Sequence, residues 1–127
     1  QLAACGMDLI YLIAPTTTEV RAAEIISKAS GFIYYVSLKG ITGAGNVRTD
    51  EVGIRTNALR ATTEIPLCVG FGIRDAQTAA ALSEQSDGVV VGSVLVEKMA
   101  AGSDPAVVSQ SLQDTIADIR QGLDQQS

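Results

Sequence analysis

The sequence predicts an α/β fold, half of a (β/α)8 TIM barrel in which four parallel strands alternate with helices. Three observations carry this. Short apolar runs start near positions 8, 32, 66 and 88. The stretches between them have helical spacing and helix-start residues. The repeat also has the period of a β/α barrel, whose eight units take about 250 residues, against 127 here.

The most informative unit runs from Leu67 to Ser93. Leu67-Cys68-Val69 breaks into Gly70-Phe71-Gly72, and Gly88-Val89-Val90-Val91 breaks into Gly92-Ser93. Near-continuous apolar runs fit strands buried on both faces, as in a parallel sheet. Asp75 is placed to cap a helix from Ala76 to about Gln85. Two consecutive parallel strands that end in glycine at one edge bring bare backbone N–H groups together there. A helix starting at Ser93 would aim its free N–H groups at the same spot. Such an edge, residues 70–74 and 92–94, is a phosphate cradle. The plainer reading is that these glycines only turn tight loops.

Composition narrows the function classes. The chain is 46% apolar and 4% aromatic, with no Trp and no His, which suits an α/β protein. A formal net charge of −5 argues against a nucleic-acid or anionic-membrane surface. No apolar run approaches the roughly 20 residues needed to span a bilayer, and no secretory signal is visible. Cys5 and Cys68 lack metal-ligand spacing and read as reduced, buried thiols of a cytoplasmic protein.

In chain order, residues 1–5 read as the last turn of a helix closed by Gly6, so the chain looks cut from something longer. Leu9 to Ala14 is the first strand, stopped by Pro15. Thr16 and Glu19 have capping-box spacing for a helix from about Thr18 to Ala29. Its expected apolar side is Val20, Ala23, Ile26 and Ala29, with Gly31 ending it. Phe32 to Leu38 is the second strand, with Phe32, Tyr34 and Val36 on one face and Ile33, Tyr35 and Ser37 on the other. Residues 39–48 carry three glycines and read as a lid loop. A helix opens at Thr49 with acidic residues in its first turn; Val52, Thr56, Leu59 and Thr63 share a face, and Gly53 is a weak point. Pro66 precedes the third strand. After the Leu67–Ser93 unit, a short helix spans Val94 to Ala100. Pro105 then opens an amphipathic helix carrying Val108, Leu112, Ile116, Ile119 and Leu123.

A barrel's active face lies at the carboxyl ends of its strands. Those ends offer Ala14-Pro15, Ser37 to Gly43, Gly70 to Arg74 and Gly92-Ser93, with no carboxylate among them. Asp8 and Asp87 precede their strands and belong to the opposite edge. Tyr34 is the proton-relay candidate, a positioner or assistant rather than a lone base. These residues can hold a phosphorylated substrate and cover it, but not carry the chemistry alone.

Four segments, DLIYLIAPTTT (8–18), GFIYYVSLKGITGAG (31–45), PLCVGFGIRDAQ (66–77) and DGVVVGSVLV (87–96), together resemble the α subunit of tryptophan synthase. The likeness covers nearly the whole chain and corresponds to the family's carboxyl-terminal half, its fifth to eighth β/α units. It implies a lyase of tryptophan biosynthesis that cleaves indole-3-glycerol phosphate to indole and glyceraldehyde 3-phosphate. No cofactor of its own is implied. The implied partner is a β subunit that carries pyridoxal phosphate and receives the indole. By motif, Tyr34 is similar to the tyrosine beside the catalytic carboxylates and Thr42 to the lid threonine. Gly43, Gly72, Gly92 and Ser93 are similar to the donors to substrate phosphate, and Phe71 and Val90 to walls of the indole pocket. The family's catalytic glutamate and aspartate match no residue here, and Gly45-Asn46-Val47 departs from the usual lid. The isolated chain is therefore expected to be inactive.

Two other readings stay open. One is another phosphate-binding TIM-barrel isomerase of amino-acid biosynthesis, which leaves the GITGAG segment unexplained. The other is a non-catalytic half-barrel module that closes its sheet by self-association, because four parallel strands leave two open edges. That reading predicts a homodimer.

Overall fold

Four strands form one fully parallel sheet in the order β1-β2-β3-β4. The structure is a computed structural model and describes residues 2–36, 49–70 and 72–125. The strands are β1 (Tyr11–Ile13), β2 (Ile33–Val36), β3 (Leu67–Gly70) and β4 (Gly88–Val90). The helices are α1 (Glu19–Ile26), α2 (Thr49–Arg60), α3 (Ala76–Ser83), α4 (Ser93–Ala101) and α5 (Pro105–Asp124). A 3₁₀ turn, Ala3–Cys5, comes first and ends at Gly6 in the left-handed region, φ 68°. The expected alternation of strand and helix is therefore present, with sequence neighbours paired throughout.

The sheet buries one face. Ile13, Ile33, Tyr35, Leu67 and Val69 alternate along their strands and join one core with Ala22, Val52, Leu59, Ala79, Leu82 and Ile119 of the helices. These helices thus lie on one side of the sheet, and the period-two pattern decides which strand residues meet them. Leu12 sits on the other face and is 57% exposed, while Tyr34 and Cys68 there are half-buried. For β3 and β4, expected to be buried on both faces, the second face is buried at Gly70 but only half-buried at Cys68 and Val90.

Several starts follow local chemistry. The Asp75 carboxylate accepts from the Thr78 N–H at 2.8 Å and opens α3. Asp104 does the same for Ala106 at 2.8 Å, with Pro105 at the first helical position of α5. In α2, Thr56 is fully buried and satisfies its hydroxyl by donating to the carbonyls of Val52 and Gly53.

Other expectations are corrected. The cap of α1 is Thr18, accepting from the Arg21 N–H, rather than Thr16 in a box with Glu19. The Thr17 hydroxyl accepts from the Ala14 N–H at 3.0 Å and shapes the turn before it. The buried side of α1 runs through Ala22, Ile25 and Ile26, with Ala29 packing on the core beyond the helix end, while Val20 is 75% exposed. A repeat of three drifts around a helix of 3.6 residues per turn, so Val20 and Ala23 are exposed while Ile26 faces the core. Helix α1 also stops at Ile26, with Gly31, φ 72°, in the turn before β2. Gly53 is more than a weak point: a methyl group there would lie 2.3 Å from the Gln85 side chain, which packs against the bare helix backbone. Both cysteines are free, and Cys5 is exposed rather than buried.

Candidate functional site

The parallel register fixes which strand ends meet. Gly70 stands beside Val90, as Val69 stands beside Val89 and Cys68 beside Gly88. Both strands therefore run out at the same edge, and Gly72 and Gly92-Ser93 follow at that edge. Gly72 adopts φ 72°, a conformation that an L side chain enters only with strain. Gly92 is the cap residue of α4 and contributes no side-chain cap, and no heavy atom lies within 4 Å of where its Cβ would be. Gly92 and Ser93 are exposed at the positive end of the α4 dipole, while the N–H groups of Leu95 and Val96 already donate to the Gly92 carbonyl.

Tyr34 reaches this edge from the neighbouring strand. A methyl group built at Gly70 would fall 2.8 Å from the Tyr34 hydroxyl oxygen, 2.9 Å from its Cε2 and 2.7 Å from the Val90 carbonyl oxygen. Only a glycine at position 70 leaves room for the phenol ring to cross β3. Tyr34, Gly70 and Val90 consequently form one continuous surface on the open face of the sheet, with Gly72 and Gly92-Ser93 following at its rim. The sequence places Gly70 in the 70–74 edge but does not show its packing against Tyr34; the signal for that is a glycine closing an apolar strand, which marks close approach of another group.

Cys68 lies on the same face, where a methyl group at Gly88 would come within 3.1 Å of its sulfur. Burial first, and then the Asp87 carboxylate, push its thiol up from the ordinary value, so it stays protonated and contributes bulk.

The opposite edge is built differently. The Asp87 carboxylate accepts from the Leu67 N–H at 2.8 Å and from Arg60 at 2.7 Å, clamping the starts of β3 and β4 to the end of α2. Asp8 packs against Gly31, where a methyl group would touch it at 3.0 Å. Both aspartates lie at the amino ends of their strands, as their position before the apolar runs implies.

Near the carboxyl edge, Glu97 of α4 takes a forked pair of hydrogen bonds from Arg74, one of them at 3.0 Å. Hydrogen bonding to Arg74 holds the Glu97 carboxyl below the usual carboxylate range, which makes it a poor proton acceptor. Among the described residues no group of three or more His, Cys, Asp or Glu side chains is arranged to hold a metal ion. Thr42, Gly43, Phe71 and the lid expected at 39–48 lie outside the described residues. A groove of about 460 Å³ is lined only by α3, α5 and nearby Glu84 and Gln125, and owes nothing to the strand ends.

The family model described as tryptophan synthase alpha chain matches residues 1–124. The chain belongs to the tryptophan synthase alpha chain family. It is 51% identical over 121 residues to the alpha chain of Ralstonia nicotianae and 46% identical over 124 residues to that of Burkholderia multivorans. These matches take in 95% and 98% of this chain, and 45% of each relative. The crystal structure of tryptophan synthase subunit alpha from Legionella pneumophila superposes with a TM-score of 0.73 at 34% identity, over 97% of this chain and 45% of that one. A mutant alpha subunit from the hyperthermophile Pyrococcus furiosus gives 0.76 at 25% identity, over 94% and 47%. The chain spans less than half the length of the relatives it matches. Membership in this family displaces the isomerase alternative. No helix among the described residues is long and apolar enough to cross a membrane.

Proposed function

We propose that this chain provides the phosphate-binding edge and one pocket wall of a lyase that cleaves indole-3-glycerol phosphate to indole and glyceraldehyde 3-phosphate. The observation that carries this reading is the Gly70–Val90 register with the Tyr34 hydroxyl laid against it. It gathers an aromatic wall and two glycine-rich strand ends into one place. Backbone N–H groups at Gly43, Gly72, Gly92 and Ser93 hold the phosphate, and Thr42 of the 39–48 loop closes over it. Phe71 and Val90 flank the indole ring, and Tyr34 positions the reacting end.

Phosphate binding remote from the breaking carbon–carbon bond fixes the substrate, and a closing loop keeps water out. The reaction also needs a group that protonates the indole ring and one that removes the glycerol hydroxyl proton. The family assigns these tasks to two carboxylates that match nothing in this sequence. In this reading they come from the remaining β/α units, and a β subunit consumes the indole. Residues 1–127 then correspond to the carboxyl-terminal half of the barrel.

Titrating isotope-labelled chain with glycerol 3-phosphate tests the cradle: the amide signals of Gly72, Gly92 and Ser93 should move. Movement confined to other amides would overturn it. Indole release is expected only when a polypeptide carrying the complementary units is added, and turnover by the chain alone would contradict the division of labour. A second reading, closure of the barrel by a second copy, is favoured by the outer edges of β1 and β4 at the two ends of the sheet and by the exposed Leu12. Sedimentation as a monomer would remove it.

A further inference from the structure

The cradle proposed above is assembled from two separate pieces. One is the β3–α3 connection from Gly72 to Asp75; the other is the start of α4 at Gly92. Strand pairing ends at Gly70 and Val90, before either piece begins. Among the described residues no backbone hydrogen bond joins one to the other. Each piece is anchored on its own: Ile73 is buried and Asp75 caps α3, while Val94 is buried in the first turn of α4, which starts without a side-chain cap.

What joins them is an ion pair 23 residues apart in sequence. Both Arg74 terminal nitrogens donate to the two carboxylate oxygens of Glu97, a planar fork that fixes orientation as well as distance. Arg74 lies two residues after Gly72, and Glu97 lies one turn into the helix that starts at Gly92. We infer that the Arg74–Glu97 pair is a staple holding the two pieces of the cradle in register, which makes both residues positioning residues for phosphate binding. The inference rests on the cradle reading. Its physical content is preorganisation: amides already aimed at one point lose less freedom when the anion arrives. It also means that the Arg74 charge is committed to Glu97, leaving the anion to the backbone amides and the dipole of α4.

The test is the same glycerol 3-phosphate titration on the parent chain, R74Q, E97Q and the exchanged pair R74E/E97R. Both single variants should weaken binding by a similar factor, about two- to fivefold for an exposed pair, and the exchange should return the parent affinity. Both positions are exposed, and circular dichroism checks that each variant is folded. If R74Q weakens binding while E97Q leaves it unchanged or tightens it, Arg74 touches the anion itself and the staple is wrong. Unchanged affinity in both variants, or an exchange that fails to restore binding, also overturns it. If the parent's Gly72, Gly92 and Ser93 amides do not respond at all, the cradle is at fault rather than the staple.

Discussion

The two edges of the sheet solve the same problem in opposite ways. At the amino edge, the exposed backbone is satisfied by side chains: Asp87 holds the Leu67 N–H and Arg60 together. At the carboxyl edge, glycines stand where such side chains would be, and α4 begins uncapped at Gly92. Side chains that satisfy donors stabilise the fold and close the surface to ligands. Omitting them costs some stability and leaves N–H groups free for an anion. The contrast points to the carboxyl edge as the functional one more directly than any single residue does.

Gly70 is the sharpest place to break the contrast, because tight packing and the candidate pocket meet there. Gly70→Ala would push a methyl group into the Tyr34 ring and the Val90 carbonyl. Overpacking of this kind costs about 1–3 kcal/mol, measurable as a lowered denaturant midpoint, with the Tyr34 signals displaced. An unchanged midpoint would show that the ring does not lie across β3. Gly92→Asp separates stability from binding. A carboxylate at a helix cap favours the helix, and the site has room for it. Thermal stability should hold or rise, while glycerol 3-phosphate affinity falls by about tenfold or more, since an anion at the cap opposes the ligand. Retained affinity would place the anion elsewhere.

What the sequence revealed depended on how far apart the deciding groups are. Asp75 could be read as a cap because it bonds an amide three residues away. The face of α2 could be read because Val52, Thr56 and Leu59 follow the helical period. Thr16, Thr17 and Thr18 carry the same hydroxyl, so the choice of cap among them rests on the Ala14 turn, which composition does not show. The spacing that misplaced the face of α1 was a repeat of three, too tight for an α-helix. Contacts between distant segments were invisible: Gln85 on Gly53, the Tyr34 ring over Gly70, and the Arg74–Glu97 fork. The candidate site was legible as a set of glycines at strand ends, but the approach of the Tyr34 ring to Gly70 needed the register.

The amino edge makes the complementary prediction. Asp87→Ala leaves the Leu67 N–H without its acceptor and Arg60 without its partner. The ion pair is partly exposed and contributes little, so the backbone donor dominates, at about 1–2 kcal/mol. Thermal denaturation should show a drop of several degrees, with glycerol 3-phosphate affinity unaltered. Lost affinity in D87A would mean that the two edges are coupled.

The smallest expected effect concerns acid. Hydrogen bonding to Arg74 lowers the Glu97 pKa in the folded chain, so near that value the unfolded chain binds more protons than the folded one. The stabilisation from Glu97 is therefore complete above its unfolded value, about 4.3. It drains away as pH falls through the lower folded value. Both partners are exposed, so the contribution is small and salt weakens it further. Comparing the parent with E97Q across an acid titration isolates it. The difference in stability should be constant near neutrality and shrink on acidification, without changing sign. A difference that instead grows as the solution becomes acidic would mean that Glu97 is held protonated in the fold, and the fork that joins α4 to the end of β3 would not exist.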